Sequence, residues 1–295
     1  MECIRQMRKH LAASAALLVV FIFSPLLYSQ APPASPPAPN RGVDGWGRPI
    51  TAPDSKSSPA PKRDLSGIWD PPFLSGNQVL GAKEFPEDGK PEHRLPYTPA
   101  GLEALKLTKP TNGIRSVLAE ETNDPVLQYG DPQGMPREDL FELRTVQILQ
   151  TPQNMALLYQ FGRVWRIIWT DGRELPKDLE PRWFGYSLGK WVDDYTFVVQ
   201  TTGLDERTWV DRAGRPHSSE LRVEERFHRR DRDHLELTVT IDDPKMYTKP
   251  WVALDKQVFE LQPPTFDVRE MYWLPSENAE YNRLMGNTPD DKGTH

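Results

Sequence analysis

The sequence predicts an all-β fold, an antiparallel meander that closes as a barrel, on three observations. From Thr145 to Gln262 the chain falls into short apolar runs separated by turn signals. Several runs alternate apolar and polar with period two, the signature of a strand with one buried face. Nine Trp, nine Tyr and eleven Phe supply a large core, and a folded part of roughly 230 residues suits one such unit.

The elements follow in chain order. Residues 1–29 read as a signal peptide: Arg5, Arg8 and Lys9 form a positive start, Leu11 to Leu27 is apolar, and small residues follow at Ser29 and Ala31. The apolar run falls short of the ~20 residues that span a bilayer. Cleavage is therefore expected, with no stable membrane insertion afterwards and a periplasmic or secreted product. Residues 30–62, rich in Pro, Ala and Ser, are expected to form a disordered linker. Residues 63–275 are the barrel domain, wrapped at its N-terminal side by irregular Pro- and Gly-rich chain up to Arg144. One helix is expected with Thr98 as N-cap and Pro99 in its first turn, ending near Leu107, and a second near Pro136. Strands are expected at 145–150, 154–161, 164–170, 184–191, 195–201, 220–229, 234–242 and 256–262. Residues 276–295 read as a short serine-capped helix and a polar tail.

Composition excludes several functions. Cys3 is the only cysteine and precedes the cleavage site, so the mature chain has no disulfide, no thiolate nucleophile and no lipoprotein anchor. Loss of Arg5, Arg8, Lys9 and Glu2 takes the formal charge from −6 to −8. An acidic chain of this kind is a poor partner for nucleic acid or anionic lipid. No zinc spacing, EF-hand loop, phosphate loop or dinucleotide fingerprint is present, so no metal and no cofactor are expected.

Candidate site residues come from loops and from strand phase. Asp171 and Arg173 flank Gly172 after a strand; this is first a turn, and second a polar pair at a barrel mouth. His217 lies in the rigid loop Gly214-Arg215-Pro216-His217-Ser218 near Asp205, Glu206 and Asp211, where it serves either structure or acid–base chemistry. Ser187 completes a formal G-x-S-x-G with Gly185 and Gly189. No strand–turn–helix elbow surrounds it, so the glycines read as a bend or bulge instead. Trp209 is an aromatic contact candidate. Alternation puts Glu225 on one face with Leu221, Val223 and Phe227, and Arg166 on one face with Val164 and Ile168. Both charges therefore point inward, and each is expected to be the other's partner.

The segments Thr170-Asp171-Gly172-Arg173, Trp183 to Trp191, Gly214 to Ser218, Glu225-Arg226-Phe227 and Asp242-Asp243-Pro244, with Gly134 to Arg137, resemble a family of exported bacterial proteins of unknown function. That resemblance implies export and a lipocalin-like barrel, and brings no activity with it. Gly67-Ile68-Trp69 is similar to the lipocalin opening, in which a Trp plugs one end of the barrel.

Three functions remain open on this reading. The leading one is a binding protein for a small, partly apolar ligand in the barrel mouth, using Arg166, Asp171, Arg173, Trp209, His217 and Glu225. The second is an enzyme in which His217 works with Asp171, Asp205 or Glu225. The third is a structural or interaction protein with a solid barrel. The interior decides: a filled core, an aromatic pocket, or a pocket where His217 meets a carboxylate.

Overall fold

A computed structural model describes residues 57–72, 81–141, 143–176, 178–272, 274, 276 and 280. The expected signal peptide, most of the expected linker and most of the expected C-terminal helix lie outside the described residues. Nine strands form one closed barrel in sequence order. They are β1 (Gly67–Asp70), β2 (Val146–Gln150), β3 (Asn154–Tyr159), β4 (Trp165–Trp169) and β5 (Tyr186–Trp191), then β6 (Thr196–Thr202), β7 (Arg222–Arg229), β8 (His234–Asp242) and β9 (Trp251–Gln262). β9 pairs with β1, so no sheet edge is left open.

Alternation along the strands sets the interior. In β8 every second residue from Leu235 to Ile241 is buried, and in β7 Val223, Glu225, Phe227 and Arg229 are. The apolar ones among them join Trp69, Ile148, Leu157, Phe197 and Phe259 in one core.

One pairing departs from the expected antiparallel meander. β4 and β5 run parallel, joined at Ile168↔Ser187 and Trp169↔Leu188. A tight hairpin reverses the chain, whereas a parallel neighbour needs a crossover of a dozen or more residues. Residues 170–185, with Asp171-Gly172 at the start and Pro176 and Pro181 within, travel the length of the barrel and deliver β5 from the end where β4 began. Among the described residues, three short elements lie outside the expected strands and helices: β1, a 3-10 turn at Pro91–His93, and a helix at Pro125–Tyr129. β9 starts earlier than expected, at Trp251, and carries a bulge against β8 and a positive φ at Lys256.

Register makes the two barrel ends unlike. At one end only the short turns 151–153, 192–195 and 230–233 connect strands. Residues 57–63 sit there: Ser57 Oγ donates to Asp233 at 2.8 Å, and Lys62 pairs with Asp194 at 2.8 Å. The opposite end carries every long antiparallel connection, 71–145, 203–221 and 243–250. Within the first lie α1 (Pro99–Leu107), α2 (Pro125–Tyr129) and α3 (Arg137–Leu140). Thr98 caps α1 by accepting from Gly101 N, with Pro99 in the first turn.

Candidate functional site

The lumen holds a polar cluster inside an apolar wall. Arg166 on β4 reaches Glu225 on β7 with two parallel hydrogen bonds, Nη1 to Oε1 at 2.8 Å and Nη2 to Oε2 at 2.5 Å. Arg166 also donates to Ser187 Oγ on β5 and Thr201 Oγ1 on β6, at 3.0 and 2.7 Å from Nη2. Both ions are essentially sealed from solvent. Burial opposes the charge on Arg166, yet its neighbours, Glu225 first and then Tyr159 and Asp139, together outweigh it and hold the guanidinium pKa above its ordinary value. Ser187 is thus a hydrogen-bond acceptor for Arg166 and presents no nucleophile to solvent. Its flanking glycines serve close packing: a Cβ on Gly189 would lie 2.2 Å from Phe197, and one on Gly185, at φ 61°, would lie 2.6 Å from the Thr202 carbonyl.

Helix α3 closes this cluster from the loop-rich end. All four of its residues are buried. Gly134, at φ 68°, brings the chain against the Trp183 carbonyl, which accepts from Met135 N at 3.0 Å. Arg137 forms a buried bidentate pair with Asp124, at 2.9 and 2.7 Å. Asp139 enters the lumen beside Tyr159, whose hydroxyl lies 3.3 Å from Oδ1, and its carboxyl faces that of Glu225. Burial, then the charge of Glu225, push the Asp139 pKa well above the carboxylate range. Beyond Asp139 the lumen is packed by Trp69, Leu157, Phe227, Leu237 and Phe259 around a cavity of about 10 Å³. That is space for roughly one water. The barrel is a filled core.

The sequence-derived residues divide into three places. Arg166 and Glu225 meet, as their strand phase requires. Asp171 and Arg173 pair with each other at 2.6 Å at the opposite, short-turn end, where Arg173 lies 3.5 Å over the Trp169 ring. Trp209 and His217 sit in the 203–221 connection. Trp209 packs 5.8 Å from the Arg137 guanidinium. His217 is buried, with Nε2 2.7 Å from Thr208 Oγ1 and Nδ1 3.2 Å from the Ser218 carbonyl. The Ser218 carbonyl can only accept, so Nδ1 carries a proton; Thr208 Oγ1 lies within reach of both Nε2 and the Asp205 carbonyl, at 2.7 and 3.1 Å. Burial lowers the His217 pKa, which favours the neutral ring. Neither ring nitrogen bonds a carboxylate; Asp243 instead holds Ser218, accepting from its N at 2.6 Å and its Oγ at 2.8 Å.

Open space lies outside the lumen, at the loop-rich end. A cleft of about 600 Å³ runs between residues 81–88, the Asn112-Gly113 turn and residues 211–215. Its wall is fixed by Arg215, which donates to Asp211 Oδ2 at 2.7 Å and to the Phe85 carbonyl, and pairs with Glu87 at 3.2 Å. Asp211 in turn accepts from the Ala82 and Ala213 amides. Phe85, Pro86, Ala82 and Ala213 give the cleft an apolar lining, and Lys83, Glu87, Asp88 and Asn112 a polar one. Lys83 Nζ bonds Gln257 Oε1 at 2.5 Å, and burial lowers its pKa. Sequence reasoning missed this cleft because its members come from irregular chain with no period to read. The signal present was Asp211 and Arg215 at i, i+4 in a Pro-containing loop. Comparison with known proteins finds no family model, no curated protein and no solved structure that matches this chain.

Proposed function

We propose that this chain is an exported binding protein for a small, partly apolar molecule, and that the ligand occupies the cleft beside Lys83 and Arg215, with the barrel as its scaffold. One observation carries the reading: the lumen is filled to about 10 Å³, while the cleft at the loop-rich end measures about 600 Å³. Ligand pockets run to about 300–1,000 Å³, mostly apolar with a few polar groups that orient the guest. The cleft meets that description through the apolar Phe85 and Pro86 together with the polar Lys83 and Asn112. Its wall is preorganised, since Arg215 and Asp211 are fully buried and held by each other. The filled lumen favours a solid barrel as structure, and the bonding of His217 to Thr208 and Ser218 gives acid–base catalysis no support.

Native mass spectrometry of protein purified from its own host tests the proposal. A co-purifying small molecule that is lost from Lys83→Ala and from Ala213→Leu, with thermal stability retained, supports it. A ligand retained by both variants, or none found there and none in a thermal-shift screen of small metabolites, overturns it.

A further inference from the structure

Asp139 and Glu225 place two carboxyl groups against one arginine. Arg166 is bidentate to Glu225, so the ion pair is already complete. Asp139 Oδ2 is buried and receives no hydrogen-bond donor, and the group it faces is the other carboxyl. Two carboxylates in that position would repel in a low-dielectric interior, and each would leave an acceptor facing an acceptor. A single proton removes both costs, because a carboxylic acid donates to a carboxylate. Among the described residues the remaining neighbours supply no second cation: Tyr159 from β3, Ser187 from β5 and Thr201 from β6 are neutral, and Met135 Sδ lies 3.7 Å from Arg166 Nη1. On α3 itself, Arg137 is committed to Asp124, and Glu138 is a further buried carboxyl.

α3 seats on the barrel without belonging to its sheet. It is four residues long, follows Gly134, and reaches the lumen cluster through Asp139, beside Tyr159 of β3. Its displacement would uncover Arg166 and the lumen walls Leu157 and Phe227 without breaking a strand pairing.

We propose that α3 is a proton-held latch: one proton between Asp139 and Glu225 keeps α3 seated in the barrel, and its loss at rising pH unseats the helix and opens the lumen. The sign follows from linkage. In the unseated state Asp139 returns to an ordinary carboxyl near 3.8, while in the seated state it binds its proton more tightly. Seating is therefore fully stabilised below that ordinary value and weakens as pH climbs through the seated value. A one-proton linkage raises the opening constant by up to about tenfold per pH unit across this window.

Hydrogen–deuterium exchange of the wild-type chain reads this directly at the amides of Glu138, Asp139 and Phe141, which bond Gly134, Pro136 and Arg137 carbonyls. After correction for intrinsic rates, their protection is expected to fall with pH in wild type and to be flat in Asp139→Asn, while β7 and β8 amides show neither. Equal slopes in the two proteins, or no slope in wild type, overturn the latch. If Asp139→Asn does not fold, infrared spectroscopy of Glu138→Gln decides. A protonated-carboxyl carbonyl band at neutral pH, vanishing where α3 protection vanishes, supports the latch, and its absence overturns it.

Discussion

Arg166 and Glu225 join strands on opposite sides of the barrel's β5–β6 pair, with guanidinium and carboxylate in register at 2.8 and 2.5 Å and no solvent access. A buried pair of this kind contributes little net stability relative to apolar residues of equal size, but is costly to break from one side. Its worth lies in register: β4 and β7 are tied by one geometry, and β5 and β6 are bound into it through Ser187 and Thr201.

The two partners are not equivalent in substitution. Arg166→Met leaves Glu225 and Asp139 without a cation, and is expected to cost about 3–5 kcal/mol in chemical denaturation. Glu225→Gln leaves Asp139 in place to ionise and take over Arg166, so the loss is expected to be smaller. Equal losses would show that Asp139 cannot substitute for Glu225.

Gly189→Ala tests the close packing of the G-x-S-x-G segment. A methyl group there meets Phe197 and Ile168 inside the barrel. Overpacking of this type costs roughly 1–3 kcal/mol. Thermal unfolding should show the loss, whereas Gly172→Ala, whose Cβ meets nothing within 4 Å but whose φ is 79°, should show only the smaller backbone strain. A tolerated Gly189→Ala would return this segment to an unexplained role.

Much of the barrel is legible from alternation alone, because a strand with one face inward repeats every two residues. That period put Glu225 inside with Val223 and Phe227, where the structure has it. α1 was legible because Thr98-Pro99 is a local signal that needs no tertiary partner. The parallel entry of β5 was not, since strand direction after a long connection depends on where the connection lies, not on its residues. β1 was hidden by its length of four residues. The burial of α3 was hidden because Arg137-Glu138-Asp139 reads as surface, and only Asp124, Arg166 and Glu225, distant in sequence, make it interior. The cleft shares that cause.

His217 is expected to act on stability with the opposite pH sign to Asp139. Burial depresses its pKa, so the unfolded chain binds the proton more readily than the folded one. Its contribution is therefore present above the ordinary histidine value near 6.5 and is lost as pH falls through the lower folded value. His217→Gln should flatten the decline of the melting temperature on acidification below about pH 6.5, while co-purified ligand in the cleft is retained. A variant as acid-sensitive as wild type would refute the assignment of a buried neutral ring.

Trp69 fills part of the barrel lumen. Its indole is wholly buried in the lumen, donates from Nε1 to the Leu65 carbonyl at 2.8 Å, and has the Arg229 guanidinium 5.0 Å from the ring. Arg229 in turn donates to the Asp64 carbonyl at 2.6 Å, fixing the stretch that leads into β1. Trp69→Ala removes the largest side chain of a lumen that otherwise has room for about one water, and is expected to cost about 3–5 kcal/mol. The space left is enclosed by Ile148, Leu157, Leu235 and Phe259, and apolar cavities of this kind stay dry and take apolar guests. Indole should therefore raise the melting temperature of Trp69→Ala and leave wild type unchanged, since the wild-type lumen is full. Rescue in the variant alone would establish that the barrel is solid because Trp69 fills it. Equal stabilisation of both proteins would place the indole in the cleft beside Lys83, and no stabilisation of either would mean that the walls collapse around the missing ring.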